Sequence, residues 1–593
     1  MPQLTVDQAL RIAHQHHQAG QLPQAEALYR QILQQDPNHS EALHLLGVIA
    51  YQAGRHDLAV ELIRRAIALQ PNYPGSHSNL GAALKDLGQL DAAIAAYRQA
   101  LALNPGFAEA YSNLAIALQA KWQLDEAAAA CRQALALNPH LAEAHHNLGD
   151  ALKAQGQIGA AIAAYRQAVA LAPDNARMHS DLVYGMYFDP SATPAMMREE
   201  LGRWNARHGA ALSSEIQPHR NSADPNRRLK IGYASPDFFL QAEAFFVVPL
   251  LEAHDHRPFE IHAYASVRHP DEITTRLQRS ADQWRDVRAL SDAALAAQIR
   301  ADGIDILVDL TMHMGHNRLG VFARKPAPVQ AAWLAYPGST GLSAMDYRLT
   351  DAWMDPPGPS DAHYSEASLR LPHSWCCFHP LTDTPAAGPL PALTRGHVTF
   401  GSLNNPCKHN PLVFALWARV LNRVADAHLL LRSPEGGHRK VILDFFSGRG
   451  IAPQRIEFVP HQPRPDYLQQ YDRIDIALDP FPYNGITTTC DALWMGVPVL
   501  SYPGVMAPSR AGLSLLKNAG LAELLAATEG PFVELGVALA GDLPRLANLR
   551  ATLRQRMAQS PLMDAPRFAR DLEAVYRQMW RQWCATASSA RTA

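Results

Sequence analysis

The chain has 593 residues, with 53 Lys and Arg against 55 Asp and Glu, 48% hydrophobic and 18% charged. At roughly 150 residues per domain, this length excludes a single small module. The near-balance of charge excludes a general field for nucleic acid or an anionic membrane, and the apolar share excludes a disordered chain.

Six cysteines (Cys131, Cys376, Cys377, Cys407, Cys490, Cys584) show no CxxC and no paired spacing. That argues against a zinc site or a disulfide framework and for a reducing compartment. Residues 1–21 lack a basic segment followed by an apolar one, and the most apolar stretch, Phe238 to Leu251, is interrupted by Glu243 and Pro249. The sequence therefore predicts a soluble, cytoplasmic protein with no membrane span.

Pro37, Pro71, Pro105, Pro139 and Pro173 stand 34 residues apart. In the same frame Gly47, Gly81, Ala115 and Gly149 recur, as do Ala25, Ala59, Ala93, Ala127 and Ala161 and then Ala66, Ala100, Ala134 and Ala168. Small residues at fixed positions mark close helix contacts, and each Pro ends the second helix of a unit. These features resemble the tetratricopeptide repeat, with units at about 6–39, 40–73, 74–107, 108–141 and 142–175 inside a segment 1–175. Such arrays stack into a superhelix whose first helices line a groove. Position six of the unit holds Asn79, Asn113 and Asn147, but Arg11 and Leu45 in the first two units. An amide offers a donor and an acceptor, so this row is expected to bind the backbone of an acceptor peptide. Packing beside the small positions is the other reading.

The repeat register ends at Met178, and residues 176–228 read as a connector, helical from Thr193 to Ala211 and polar from Ser213 to Arg228. Short apolar runs then alternate with helical segments: Leu229–Ala234, Ile261–Tyr264, Ile304–Leu310, Val398–Ser402, His428–Leu431, Arg455–Val459, Ile474–Leu478 and Val497–Tyr502. Such alternation predicts parallel sheets covered on both faces. A Pro-rich break, Pro380 to Pro391, divides the region into lobes 229–390 and 391–593. Ligands are expected at the carboxyl ends of the strands of two doubly wound lobes. No GxGxxG and no phosphate-binding GxxxxGKS or GxxxxGKT is found, which argues against a dehydrogenase or an ATPase.

In the second lobe an apolar strand runs through Asp479-Pro-Phe-Pro-Tyr-Asn-Gly485-Ile486 into Thr487-Thr488-Thr489 at a helix start. Free N–H groups, hydroxyls and the positive dipole end suit a diphosphate, whereas N-capping alone needs one Thr. Phe400-Gly-Ser-Leu-Asn404-Asn405-Pro-Cys-Lys408 is a second strand end with its turn, whose Lys can neutralise phosphate without a metal. His313, after the strand Ile304–Leu310, is expected to face the cleft as an acid–base group on the acceptor side. His313 and His316 have no carboxylate or Cys companion, so no metal site is expected. Cys376 and Cys377 read as core.

The Thr turn, the Asn-Asn-x-x-Lys turn, the segment Ala327-Pro-Val-Gln-Ala-Ala-Trp-Leu-Ala-Tyr-Pro-Gly338-Ser-Thr-Gly and the repeats together resemble the O-linked N-acetylglucosamine transferases, including their SPINDLY-type branch. The resemblance covers nearly the whole chain, to about Trp583. It implies a GT-B fold of two Rossmann-like lobes behind the repeat superhelix. It also implies UDP-GlcNAc as donor, inversion at the anomeric carbon with no metal or other cofactor, and protein Ser or Thr as acceptor. Lys408 then falls on the catalytic, diphosphate-binding Lys and Asn405 on a donor contact. Thr487 and Thr488 match the phosphate-binding pair, Asp491 the ribose-binding Asp and Arg464 the nucleoside contact.

The sequence departs from the family at three places. The loop Asp237-Phe-Phe-Leu-Gln241-Ala-Glu243 has no His where many relatives carry one near the reacting sugar. Ile486 and Tyr467 stand where mammalian-type enzymes have a His before the Thr pair and a nucleoside-stacking His. Thr-Thr-Thr-Cys-Asp, and the Ala-Gly-Leu-Ser-Leu-Leu after Arg510, are closer to the SPINDLY branch, some of whose members use GDP-fucose. The expected function is protein O-glycosyl transfer, with GDP-fucose-dependent O-fucosyl transfer and a catalytically inactive repeat scaffold as alternatives. Expected partners are acceptor proteins along the repeats and a nucleotide-sugar, not nucleic acid; a homo-oligomer is left open.

Overall fold

The computed structural model describes residues 5–592. The N-terminal segment folds as five successive helix pairs: Val6–Gln18 with Leu22–Gln35, Ser40–Gln52 with His56–Leu69, Pro74–Asp86 with Leu90–Leu103, Ala108–Ala120 with Leu124–Leu137, and Ala142–Ala154 with Ile158–Leu171. Each of the five periodic prolines lies two residues past the last residue of a second helix, where its missing N–H costs nothing. The recurrent small position is a point of close approach. A Cβ at Gly81 would come within 2.8 Å of Tyr97, and one at Gly149 within 2.5 Å of Tyr165. The unit with Ala115 carries the smaller Cys131 sixteen residues on, where those units have Tyr97 and Tyr165.

After the repeats come the helices Ala176–Met186 and Pro194–Trp204, the latter capped by the Thr193 side chain and opened by Pro194. The first lobe is a seven-stranded, all-parallel sheet: β1 Leu229–Ser235, β2 Phe259–Ala265, β3 Gln283–Asp286, β4 Ile306–Asp309, β5 Val329–Ala332, β6 Tyr347–Asp351 and β7 Ala367–Leu371. Its strand order is β3-β2-β1-β4-β5-β6-β7. The second lobe is a five-stranded parallel sheet, β8 Thr399–Ser402, β9 His428–Arg432, β10 Ile456–Val459, β11 Ile476–Leu478 and β12 Val499–Leu500, in the order β10-β9-β8-β11-β12. Both are doubly wound, Rossmann-like sheets. Their order reverses between β1 and β4 and between β8 and β11, so the loops after these four strands diverge and leave a crevice.

The eight predicted strands are present with ends shifted by up to two residues, and four strands were not anticipated. Strands β3 (Gln-Trp-Arg-Asp) and β7 lie at the sheet edges with little burial, and β6 begins with polar residues, so none carries an apolar signature. Strand β5 is buried but only four residues long.

The last helix, Ala565–Thr592, does not stay with the second lobe, although sequence position assigns it there. Its Glu573 accepts from the His254 ring (2.8 Å) and the Asp255 N–H (2.9 Å), Tyr576 bonds Tyr233 (2.9 Å), and the Phe568 ring packs on Trp333. The Phe568, Leu572, Tyr576, Met579 face repeats at helical spacing and is buried, and the first lobe provides the surface that covers it.

Candidate functional site

A cavity of about 580 Å³ lies at the carboxyl ends of both sheets. The first lobe supplies Leu240 to Glu243 after β1, Met314 after β4 and Leu334 and Ala335 after β5. The second lobe supplies Asn404, Asn405, Cys407 and Lys408 after β8, the segment His461 to Arg464 and Tyr467 after β10, and Tyr483, Ile486, Thr487, Thr488 and Asp491 after β11. The loops at both strand-order reversals therefore open into one space.

The floor of the second lobe is a turn held from beneath. Asp479 is fully enclosed and accepts from the Gly485 N–H (2.7 Å) and the Ser501 hydroxyl (2.6 Å); burial pushes its pKa up to about 7. Asn484 donates to the Pro480 carbonyl and accepts from the Gly512 N–H. Gly485 admits no side chain, since a Cβ there would stand 2.5 Å from Thr488 Oγ1. Lys408 Nζ donates to the Asn484 carbonyl (2.7 Å) and lies 4.4 Å from the Tyr483 ring centroid. Burial lowers its pKa to about 8, partly offset by Cys407 and Asp479.

Helix Thr487–Trp494 starts at this turn, and no side chain caps it. Thr488 Oγ1 instead donates to Asn404 Oδ1 (2.7 Å), so the first-turn N–H groups remain available beside Lys408. Asn405 is exposed and uses its own side chain to accept from the Cys407 N–H. Ile486 lines the wall just before the helix.

Arg464 and Asp491 reach the cavity as one ion pair, bidentate at 2.7 and 3.2 Å, and the guanidinium lies 3.9 Å from the Phe245 ring of the first lobe. The family resemblance implies separate nucleoside and ribose contacts for them. Burial raises Asp491 and the Arg464 charge offsets this. Tyr467 presents its ring to the cavity while its hydroxyl bonds that of Tyr471 (2.8 Å).

His313 does not face the cavity, contrary to its sequence position after a strand. It is fully buried, with Nε2–H donating to the Thr340 carbonyl (2.8 Å), Nδ1 accepting from the Ser180 hydroxyl (3.0 Å) and the Trp204 indole 4.9 Å away edge-on. Burial pushes its pKa down to about 3, so it is a neutral core histidine that helps fix the connector helices on the first lobe.

The Asn row also differs from expectation. Asn147 is buried and donates to the Ser112 hydroxyl (2.9 Å) and carbonyl, and Asn79 pairs with His44 (2.9 Å). Position six faces the first helix of the preceding unit, so two of the three amides spend their donors within the array. Asn113 is half-buried.

Cavity residues absent from the sequence reading include Tyr184 and Phe188, from the connector. Phe188 stacks on Tyr483 at 4.7 Å. Their signal in the sequence is only an aromatic pair at i, i+4. All six cysteines are buried and none is in a disulfide. Among the described residues, no three His, Cys, Asp or Glu side chains converge on one point, and no helix is long and apolar enough to cross a membrane.

Residues 211–378 and 390–572 match the model of glycosyl transferase family 41, and tetratricopeptide models match residues 10–74 and segments from 81 to 182. A Petunia hybrida protein named probable UDP-N-acetylglucosamine–peptide N-acetylglucosaminyltransferase SPINDLY is 41% identical over 61% of this chain. The Arabidopsis thaliana SEC protein is 31% identical over 60% of this chain. The chain spans about 40% of the length of these curated relatives. A solved mutant of the Thermobaculum terrenum O-GlcNAc transferase is 34% identical with a TM-score of 0.72, covering 98% of both chains. With its family model spanning both lobes and repeats of the same kind in front, the chain belongs to glycosyl transferase family 41.

Proposed function

We propose that the chain is a protein O-glycosyltransferase that moves GlcNAc from UDP-GlcNAc to Ser or Thr of acceptor proteins recruited by the repeats. The observation that carries this reading is the meeting of Lys408, the uncapped Thr487–Trp494 helix start and the Arg464–Asp491 pair in one crevice between two Rossmann-like sheets. The diphosphate then lies against Lys408, Thr487 and Thr488, the nucleoside toward Arg464, Asp491 and Tyr467, and the sugar toward the loop after β1. The acceptor oxygen attacks C1 from the face opposite the diphosphate. The bond from C1 to the diphosphate oxygen breaks with its electron pair staying on the diphosphate. The Lys408 ammonium and the helix N–H groups stabilise that growing charge, and the bonds of Asp479 and Asn484 hold them in position beforehand.

The donor choice is supported by the names borne by the SPINDLY relatives and by the structural neighbour. Calorimetric titration with UDP, GDP, UDP-GlcNAc and GDP-fucose, together with transfer to protein acceptors, tests it. Uridine nucleotides are expected to bind more tightly. A tenfold preference for GDP, about 1.4 kcal/mol, replaces this donor with GDP-fucose. Donor binding without any transfer leaves the inactive scaffold.

A further inference from the structure

The loop after β1 carries a carboxyl that the chemistry above leaves unused. Glu243 breaks an apolar stretch, lines the cavity and is 6% exposed. Its main-chain carbonyl opens the helix Ala244–Ala253 by accepting from Phe246 and Val247, but its side chain caps nothing. Both carboxyl oxygens are shielded from solvent and neither makes a hydrogen bond of good geometry. The groups acting on it are Asp237 of the same loop, Asp309 at the end of β4 and the Gln241 amide, a weak hydrogen-bonding neighbour whose geometry falls short of a full bond. No cation among the described residues pairs with it, and the three carboxyls do not converge as a metal site.

A buried polar group without a well-formed hydrogen bond is destabilising, the more so if charged. A purely structural Glu would show the partner that repays this. Glu243 shows only the weak Gln241 contact, and it lines the same cavity as Lys408.

Resting on the glycosyl-transfer reading, we propose that Glu243 is the general base of the reaction, its carboxylate taking the proton of the acceptor hydroxyl as that oxygen attacks C1. The hydroxyl O–H bond breaks and an O–H bond to Glu243 forms. The new C1–O bond forms as the bond to the diphosphate breaks, and no further reactant is needed. The step requires the Glu243 side chain to turn from its shielded position into the cavity that the residue lines. Burial, then Asp237 and Asp309, raise the pKa of Glu243 well above the ordinary carboxyl range, with the Gln241 amide offsetting a little. A carboxylate whose pKa is raised from the ordinary range is the stronger proton acceptor. Turnover accordingly rises with pH as Glu243 ionises.

Glu243→Gln keeps the shape and removes the base. Its kcat is expected to fall about 10²-fold or more, with UDP affinity and Tm not reduced and the acidic limb of the kcat pH profile gone. Glu243→Asp should keep that limb at reduced kcat. Wild-type kcat with an intact acidic limb in Glu243→Gln overturns the inference, as does a loss confined to the donor KM. In either case a turning-over wild type leaves the glycosyl-transfer reading standing. A wild type that turns over no donor overturns that reading and this one with it.

Discussion

In the repeats, polar side chains find partners about one unit away: Asn79 meets His44 and Asn147 meets Ser112, each 35 residues back. In the lobes the separations are wider. Lys408 meets Asn484 across 76 residues, Thr488 meets Asn404 across 84, and Tyr576 meets Tyr233 across 343. A repeat array is a one-dimensional solid, in which each unit needs only its neighbour. A crevice between two sheets gathers loops that the chain visits far apart. Substitutions in the repeats should therefore be felt as stability or acceptor affinity, and substitutions in the crevice as chemistry.

The sharpest break in this comparison is Lys408→Ala. Its transfer and donor hydrolysis should fall by about 10²–10³-fold, as when a preorganised donor to a developing charge is lost, while thermal unfolding stays close to wild type. Turnover at the wild-type rate would remove Lys408 from the site.

The next effect is one of pH. Burial lowers Lys408 to about 8, and only the protonated Lys favours the diphosphate. Binding raises that pKa again, so affinity is full below it and is lost as pH rises through it. UDP affinity measured by calorimetry should be about tenfold weaker at pH 9 than at pH 7. Lys408→Ala should bind weakly with no such slope.

In the repeats, Gly149→Ala drives a methyl into Tyr165. Overpacking of about 1–3 kcal/mol, offset by about 1 kcal/mol of helix propensity, should lower the denaturant midpoint. UDP affinity should not change, and a change would mean that the crevice depends on the array.

The smallest effects separate the three amides. Asn147→Ala should cost about 1 kcal/mol of stability through its lost bonds to Ser112. Asn113→Ala should leave stability unchanged and raise the KM of protein acceptors only. No change in that KM would return the whole row to a structural role.

How far the site was legible follows from the same distinction. The Thr487–Thr488 helix start and the Lys408 turn could be read because each is a contiguous motif at a strand end, with its chemistry in adjacent residues. His313 looked alike in sequence, after a strand with a polar side chain. Its environment is made by Ser180, Trp204 and Thr340, none of them a near neighbour, and they close it off. Tyr184 and Phe188 carry no site signature in the sequence because they lie in a connector and are brought to the cavity by tertiary contacts with Tyr336 and Tyr483.

The sequence alone determined the repeat period, the two doubly wound sheets and the strand ends that bear the site, because helix pairing and strand burial are written in local spacing. Tertiary structure alone decided which polar groups are spent and which are free. It joined Arg464 to Asp491, tied Asn147 to Ser112, carried the last helix back to the first lobe, and left Glu243 buried beside the cavity without a well-formed hydrogen bond. A hydrogen bond or a desolvated carboxyl is a property of everything that surrounds it, and those surroundings come from segments tens to hundreds of residues apart.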